Sequence, residues 1–117
     1  MENKSNQRLF GMLGLAMRAG KLIIGTELIC RAMPRGVVKL VLISAHASCQ
    51  TKKKLFVKSE YYGITAVEAD IDTQTLGKLL GKTYSPAAVA VVDGGFAAEI
   101  KKAADVTHND DERKFSQ

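Results

Sequence analysis

VVKLVLIS, Val37 to Ser44, decides the fold. Six of its eight residues are apolar, and four of those six are Val or Ile. Branching at Cβ favours extended backbone over helix. The apolar character runs on without a break where a half-buried strand would alternate, which predicts a strand buried on both faces. Such a strand needs helices on both sides of its sheet, and the flanking sequence must supply them.

Upstream, Leu9, Phe10, Leu13, Ala16 and Met17 recur at helical spacing and predict a first helix from about Ser5 to Gly20, with Arg8 and Arg18 off the apolar stripe. KLII, Lys21–Ile24, predicts a short strand. Gly25-Thr26 then opens a second helix, with Thr26 a suitable N-cap, Leu28, Ile29, Ala32 and Met33 as the buried face, and Pro34 and Gly36 as the stop.

Downstream, ASCQTKKKLFVKSEYYG predicts a third helix capped by Ser48 or Thr51, with Leu55, Phe56 and Tyr62 among its apolar positions, Gly63 as C-cap, and Lys52, Lys53, Lys54 and Lys58 on its start and outer side. ITAVEA is a third strand. Asp72 or Thr73 caps a short helix carrying Leu76, Leu79 and Leu80 and ended by Gly81. KTYSPA is a loop, AVAVVD a fourth strand and GGFAAEIKKAA a last helix. This alternation predicts the α/β class, a three-layer α/β/α sandwich in one domain over residues 1–104. The polar, aperiodic stretch 105–117 is expected to be a disordered tail.

A chain of 117 residues is long enough for one core without disulfides or a metal. No apolar run approaches the ~20 residues of a membrane span, and MENKSNQRLF lacks the apolar stretch of a signal peptide. A cytoplasmic protein without a membrane partner is the expectation. Cys30 and Cys49 fit no zinc or redox spacing and are expected to be free thiols.

The net charge is +5, unevenly spread. Residues 1–58 hold eleven Lys/Arg against Glu2 and Glu27, a net of +9, whereas 59–104 and 105–117 each carry −2. A basic half on a small domain is the electrostatic footprint of a nucleic-acid binder.

Three chemistries compete for the remaining residues. SAHASC gathers Ser44, His46, Ser48 and Cys49 after the strongest strand, where α/β folds often bind ligands, and Asp93 ends another strand. A Cys–His enzyme would use such a set. There is no G-x-S-x-G elbow, however, and a helix cap with a half-buried thiol is the simpler account. His46 and His108 are too far apart in sequence to suggest a metal site, so no metal and no cofactor are expected. GTELICR and DGGF match neither phosphate-loop pattern.

What is left at Gly25 is a bare helix start, whose free N–H groups attract anions. Glu27 either complements the helix dipole or accepts hydrogen bonds from a base. Arg31 follows one turn on and, with Arg18, Lys21 and Arg35, would face phosphates. The loop around Tyr84 offers a surface on which a base would stack, made rigid and apolar by Pro86 and Ala87. Taken alone, that loop is an ordinary helix-to-strand turn.

The order GTELICRAMPRGVVKLVLISAHAS, then LGKLLGKTYSPAAVAVVD, resembles the kink-turn-binding ribosomal protein family, the L7Ae/L30e superfamily; LGLAMRAGKLIIG is similar to the opening of its bacterial branch. The likeness spans about Leu9 to Ala104. It implies a three-layer sandwich around a four-stranded mixed sheet. It also implies a small, non-catalytic, ribosomal or ribosome-associated protein that binds sharply bent RNA, with RNA and the ribosome as partners and a monomer when free.

By the same resemblance the RNA meets the N-terminus of the second helix, Gly25 to Arg31, and the loop before the last strand, Thr83, Tyr84, Ser85, Pro86 and Ala87. Gly25 and Thr26 match the family motif, and Arg31 and Arg35 match its basic positions. Lys52 and Lys53 would extend the positive surface. Glu27 and Leu28 stand in place of the family's Asn-Glu pair, Ile24 in place of a commonly basic residue and His46 in place of an acid. The close-approach and phosphate-facing parts of the motif are therefore kept, and its base-reading parts are exchanged. A protein-interaction adaptor on the same fold is the alternative to RNA binding, and a Cys49/His46 enzyme the third reading.

Overall fold

The structure is a computed structural model that describes residues 4–104, so the expected tail at 105–117 lies outside the described residues. Its helices are α1 (Lys4–Arg18), α2 (Thr26–Ala32), α3 (Cys49–Tyr61), α4 (Thr73–Leu79) and α5 over residues 94–104, with a 3₁₀ turn at Met33–Arg35 after α2. The strands are β1 (Leu22–Ile24), β2 (Leu40–Ser44), β3 (Thr65–Ala69) and β4 (Ala88–Val91), joined in the order β1-β4-β2-β3. β4 runs antiparallel to both β1 and β2, and β3 runs parallel to β2. The expected three-layer sandwich around a four-stranded mixed sheet is the observed architecture.

The strand that set this expectation sits inside the sheet, and all five of its residues are buried. Its side chains alternate between two cores. Leu40 and Leu42, with Val89 and Val91 of β4, face Leu9 and Leu13 of α1, Leu76 of α4 and Ile100 of α5. Val41 and Ile43, with Ala88 and Ala90, face Ile29 and Ala32 of α2 and Leu55 of α3. β4 thus turns its larger side chains toward three helices and its alanines toward two. A fully buried Leu such as Leu55 contributes about 1.5–3 kcal/mol relative to exposure, which fixes each helix to its face.

β2 begins at Leu40 and not at Val37. Gly36 reverses the chain with a left-handed φ of 76°, and strand pairing starts only after the Lys39 N–H donates to the Val91 carbonyl. One residue expected on a buried face, Leu28, and one apolar position of the third helix, Tyr62, point out. Leu28 is 55% exposed, because the buried stripe of α2 is Ile29, Ala32 and Met33, and Leu28 lies about 90° round the helix from its centre. Tyr62 is 39% exposed because α3 ends at Tyr61 and the chain turns away.

The topology has one consequence for function. Because β1, β2 and β3 point the same way and β4 opposes them, one end of the sheet collects the ends of three strands, the start of β4 and the starts of α2, α3 and α4.

Candidate nucleic-acid interface

At that end the chain joins the two walls expected to meet RNA. Ile24 pairs with Val89, so the next residue, Gly25, reaches the start of β4 and donates its N–H to the Ala88 carbonyl at 3.2 Å. On the other side the Ser44 N–H donates to the Ala87 carbonyl at 2.9 Å. The loop before β4 is therefore tied to the ends of both β1 and β2. Gly25 does this at φ 105° and ψ 140°, a conformation L side chains rarely adopt, with open space where a Cβ would be. Gly25 itself occupies the N-cap position of α2 and offers no side-chain bond to the first turn. Thr26, expected to cap, is instead the first helical residue, because the sharp turn out of β1 requires glycine one position earlier.

α2 shows solvent a face made of Glu27, Leu28 and Arg31. No ion pair engages Arg31 among the described residues. The helix has seven residues, so the site draws more on this exposed cation and the adjoining loop than on a summed helix dipole.

The loop owes its position to a residue that sequence reasoning missed. A methyl group at Gly77, inside α4, would collide with the Tyr84 carbonyl oxygen and press on Pro86. Glycine lets the loop lie directly on the helix. Its signal was an isolated glycine inside the helical pattern TLGKLL, which usually marks a close approach. Pro86 is buried in this contact, which leaves it shaping the loop from beneath, while Thr83, Tyr84 and Ser85 are exposed and Ala87 is half-buried. Tyr84 is 53% exposed, open enough for a planar ring to stack on it.

The structure thus brings Gly25, at the start of α2, to Ala88, directly after the loop that carries Thr83, Tyr84, Ser85 and Ala87; Thr26, Glu27 and Arg31 follow on α2. It does not bring Arg18 or Lys21 to them. Lys21 precedes β1 at the opposite end of the sheet, where its carbonyl accepts from the Val92 N–H at 2.9 Å, and four extended residues from Lys21 to Gly25 span roughly 13 Å. Arg18 lines a groove between α1 and the end of α4, beside Phe10 and Gly81. Arg35 ends the 3₁₀ turn that continues α2, exposed and about 6 Å along the helix path from Arg31. Lys52 is half-buried, with its Nζ 3.6 Å from Glu68 Oε1, so its charge is already engaged. Lys53 is exposed on α3 and unpaired.

The SAHASC cluster resolves into structural roles. The Ser44 hydroxyl is buried, donates to the Ile71 carbonyl at 2.6 Å and accepts the His46 N–H at 3.0 Å, clasping the ends of β2 and β3 together. The His46 ring lies 3.3 Å from Asp70, and Ser48 caps α3 by accepting the Thr51 N–H at 3.2 Å. Cys49 is exposed, and both cysteines are free thiols. Asp93 lies at the far end of the sheet, since β4 runs antiparallel, and it caps α5 through the Phe96 N–H at 2.9 Å. Among the described residues no hydrogen bond joins the Cys49 thiol or the Ser44 hydroxyl to the His46 ring. Among the described residues no three His, Cys, Asp or Glu gather as metal ligands.

The fold and this pair of walls define a class of small three-layer protein that presents a helix start and a loop side by side. Residues 7–101 match the Ribosomal protein L7Ae/L30e/S12e/Gadd45 family, and the chain belongs to that family. It is 37% identical over 102 residues to the RNA-binding protein YlxQ of Enterococcus faecium, covering 87% of this chain and 96% of that one. It is 32% identical over 99 residues to the large ribosomal subunit protein eL30 of Neurospora crassa, covering 80% and 87%. A solved structure of a protein of unknown function from Bacillus halodurans C superposes with a TM-score of 0.78 at 35% identity, covering 84% of this chain and 97% of that one. The Giardia lamblia 15.5kD RNA binding protein shares the fold at TM-score 0.73 and 14% identity, covering 93% and 92%. The YlxQ, eL30 and Giardia proteins carry RNA-binding or ribosomal names. No helix among the described residues is long and apolar enough to cross a membrane.

Proposed function

We propose that this chain is a non-catalytic RNA-binding protein that associates with the ribosome in the cytoplasm, is a monomer when free, and grips bent, structured RNA between the start of α2 and the loop before β4. One observation carries the reading: the hydrogen bond from the Gly25 N–H to the Ala88 carbonyl, which holds the uncapped helix start against the loop. The names of the YlxQ and eL30 relatives support it. Gly25 lets RNA backbone come close, Thr26 and Glu27 offer hydrogen-bonding groups, Arg31 meets phosphate, and Tyr84 packs on an extruded nucleotide. Recognition of splayed bases at irregular loops suits RNA, because the deep major groove of its A-form helix excludes side chains.

The test is binding of a kink-turn RNA beside a straight duplex of equal length at several salt concentrations. The bent RNA is expected to bind tighter, and affinity is expected to fall steeply with salt as a handful of phosphate contacts release counterions. Arg31→Ala is expected to weaken binding to all structured RNAs alike, because a phosphate contact carries no base information. Equal affinity of wild type and Arg31→Ala would move the site elsewhere. A protein-docking role is the second reading, favoured by Leu28, which stands half-exposed in the middle of the α2 face. Absence of nuclease-sensitive RNA on the purified protein at low salt would select it.

A further inference from the structure

The geometry points to a second RNA contact on the outer face of α3, one that takes single-stranded RNA flanking the bent element. Lys53, Lys54 and Lys58 would hold phosphates there, and Tyr61 would stack a base. This rests on the RNA-binding reading above.

α3 carries four lysines against a single acid, Glu60, in CQTKKKLFVKSEY. Lys52 is engaged by Glu68 and drops out. Lys53 and Lys54 are exposed, and Lys58 is half-buried; none of the three has an ion-pair partner among the described residues. The arrangement is unfavourable to the helix itself. Lysines crowd its first two turns with no acid in the first, so they oppose the positive end of the helix instead of complementing it. Lys54 and Lys58 are also like charges at i, i+4, a spacing that destabilises a helix by roughly 0.2–0.5 kcal/mol. Local rules broken without an internal compensation are expected where a function uses the residues.

Apolar side chains interrupt the cations on the same face. Lys53, Lys54, Val57 and Tyr61 follow at spacings of one, three and four residues, which aligns them along one side of the helix. Val57 is 56% exposed and Tyr61 is 80% exposed. Tyr61 meets Tyr62 edge to face, with ring centroids 4.9 Å apart, which steadies the ring while leaving it open to solvent. Cations alternating with an open aromatic ring are the parts of a sequence-tolerant single-strand platform. From Lys53 to Tyr61 the helix rises about 12 Å.

α3 is the neighbour of α2 on its face of the sheet. α3 starts at the same end of the sheet as α2 and packs beside it, over the core that includes Ile29 and Leu55. An RNA strand leaving the start of α2 would pass Arg31 and run along α3. The negative backbone of that strand also supplies the charge that the lysine face lacks.

The probe is a fluorescein-labelled kink-turn hairpin, made with and without a mixed-sequence single-stranded 3′ extension. Wild type is expected to bind the extended RNA several-fold tighter. The triple variant Lys53→Ala/Lys54→Ala/Lys58→Ala is expected to lose that advantage, with the log–log salt slope on the extended RNA falling by about two, as three single-strand phosphate contacts disappear. Tyr61→Ala is expected to weaken the extended RNA at least fivefold, and Tyr61→Phe to retain it. Apart from the half-buried Lys58 the variants change exposed side chains, and a circular-dichroism melt verifies folding. If the triple variant and Tyr61→Ala match wild type on the extended RNA while Arg31→Ala weakens both RNAs, the α3 contact is overturned and the α2 site stands. If wild type binds neither RNA, the RNA-binding reading itself falls, and this one with it.

Discussion

Three helices start at one end of the sheet, and they start in two ways. α3 and α4 open on side-chain caps: Ser48 accepts the Thr51 N–H at 3.2 Å, and Asp72 accepts the Thr75 N–H at 2.6 Å. α2 opens on Gly25, which has no side chain to give. A capped start meets part of its own hydrogen-bonding need and stabilises the fold. An uncapped start leaves that need to solvent or to a ligand. The difference falls where the loop before β4 adjoins α2, so the least self-sufficient of the three starts is the one with a second wall beside it.

The sharpest way to break the contrast is at Gly25. Gly25→Ala places a side chain at a φ of 105°, and holding a non-glycine residue in such a region costs on the order of 1–3 kcal/mol. Urea unfolding is expected to show that loss, and RNA affinity to fall with it, since the turn that delivers α2 to Ala88 must relax. A variant as stable as wild type would mean the turn adapts and is not set by the glycine.

Ser48→Ala comes next. Removing a serine cap costs about 1 kcal/mol, and here the hydroxyl also bonds the Thr51 side chain at 3.0 Å. RNA binding at the start of α2 is expected to be unchanged at temperatures where the variant stays folded. Thr26→Ala is the paired control. Thr26 makes no cap bond, so its stability is expected to stay within about 0.5 kcal/mol of wild type while RNA affinity drops. A loss of about 1 kcal/mol in thermal or urea unfolding would show that Thr26 caps α2 after all, and the contrast would collapse.

Much of this was legible in the sequence, for identifiable reasons. β2 was readable because burial on both faces leaves an unbroken apolar run that no surface element carries. The starts of α3 and α4 were readable because Ser and Asp have a local capping chemistry. Thr26 misled for the same reason: its composition suits a cap, but the path out of β1 hands that position to Gly25. Leu28 misled because a seven-residue helix gives too few turns to fix the direction of its apolar stripe. Of the site, the two walls were visible as segments, but their junction depends on β4 inserting between β1 and β2, a non-local pairing that periodicity does not encode. The basic residues were visible as a count and not as a surface. Arg18 and Lys21 belong to the same basic half of the chain as Arg31 yet lie elsewhere on the fold, and the partner of Lys52, Glu68, comes from the neighbouring strand.

The smallest expected effect separates the two capped starts from each other. Ser48 is neutral at any working pH, whereas the Asp72 cap is ionisable. The bond from the Thr75 backbone N–H, then that from the Thr75 side chain, holds the Asp72 carboxyl below the usual carboxylate range; desolvation opposes them, and His46 and Lys78 add weaker support. A carboxylate whose pKa is lower in the folded state binds protons more readily when unfolded. Its stabilisation is therefore complete above the ordinary aspartate value near about 4 and is lost as pH falls through the depressed folded value. Asp72→Asn keeps an oxygen acceptor for Thr75 but removes the titration. Its stability is expected to lag slightly behind wild type at neutral pH and down to about pH 4, and the two stability–pH curves converge only as pH falls through the depressed folded value. Parallel curves between pH 2 and pH 6 would show that the Asp72 charge adds nothing to the cap, and α4 would then start as α3 does.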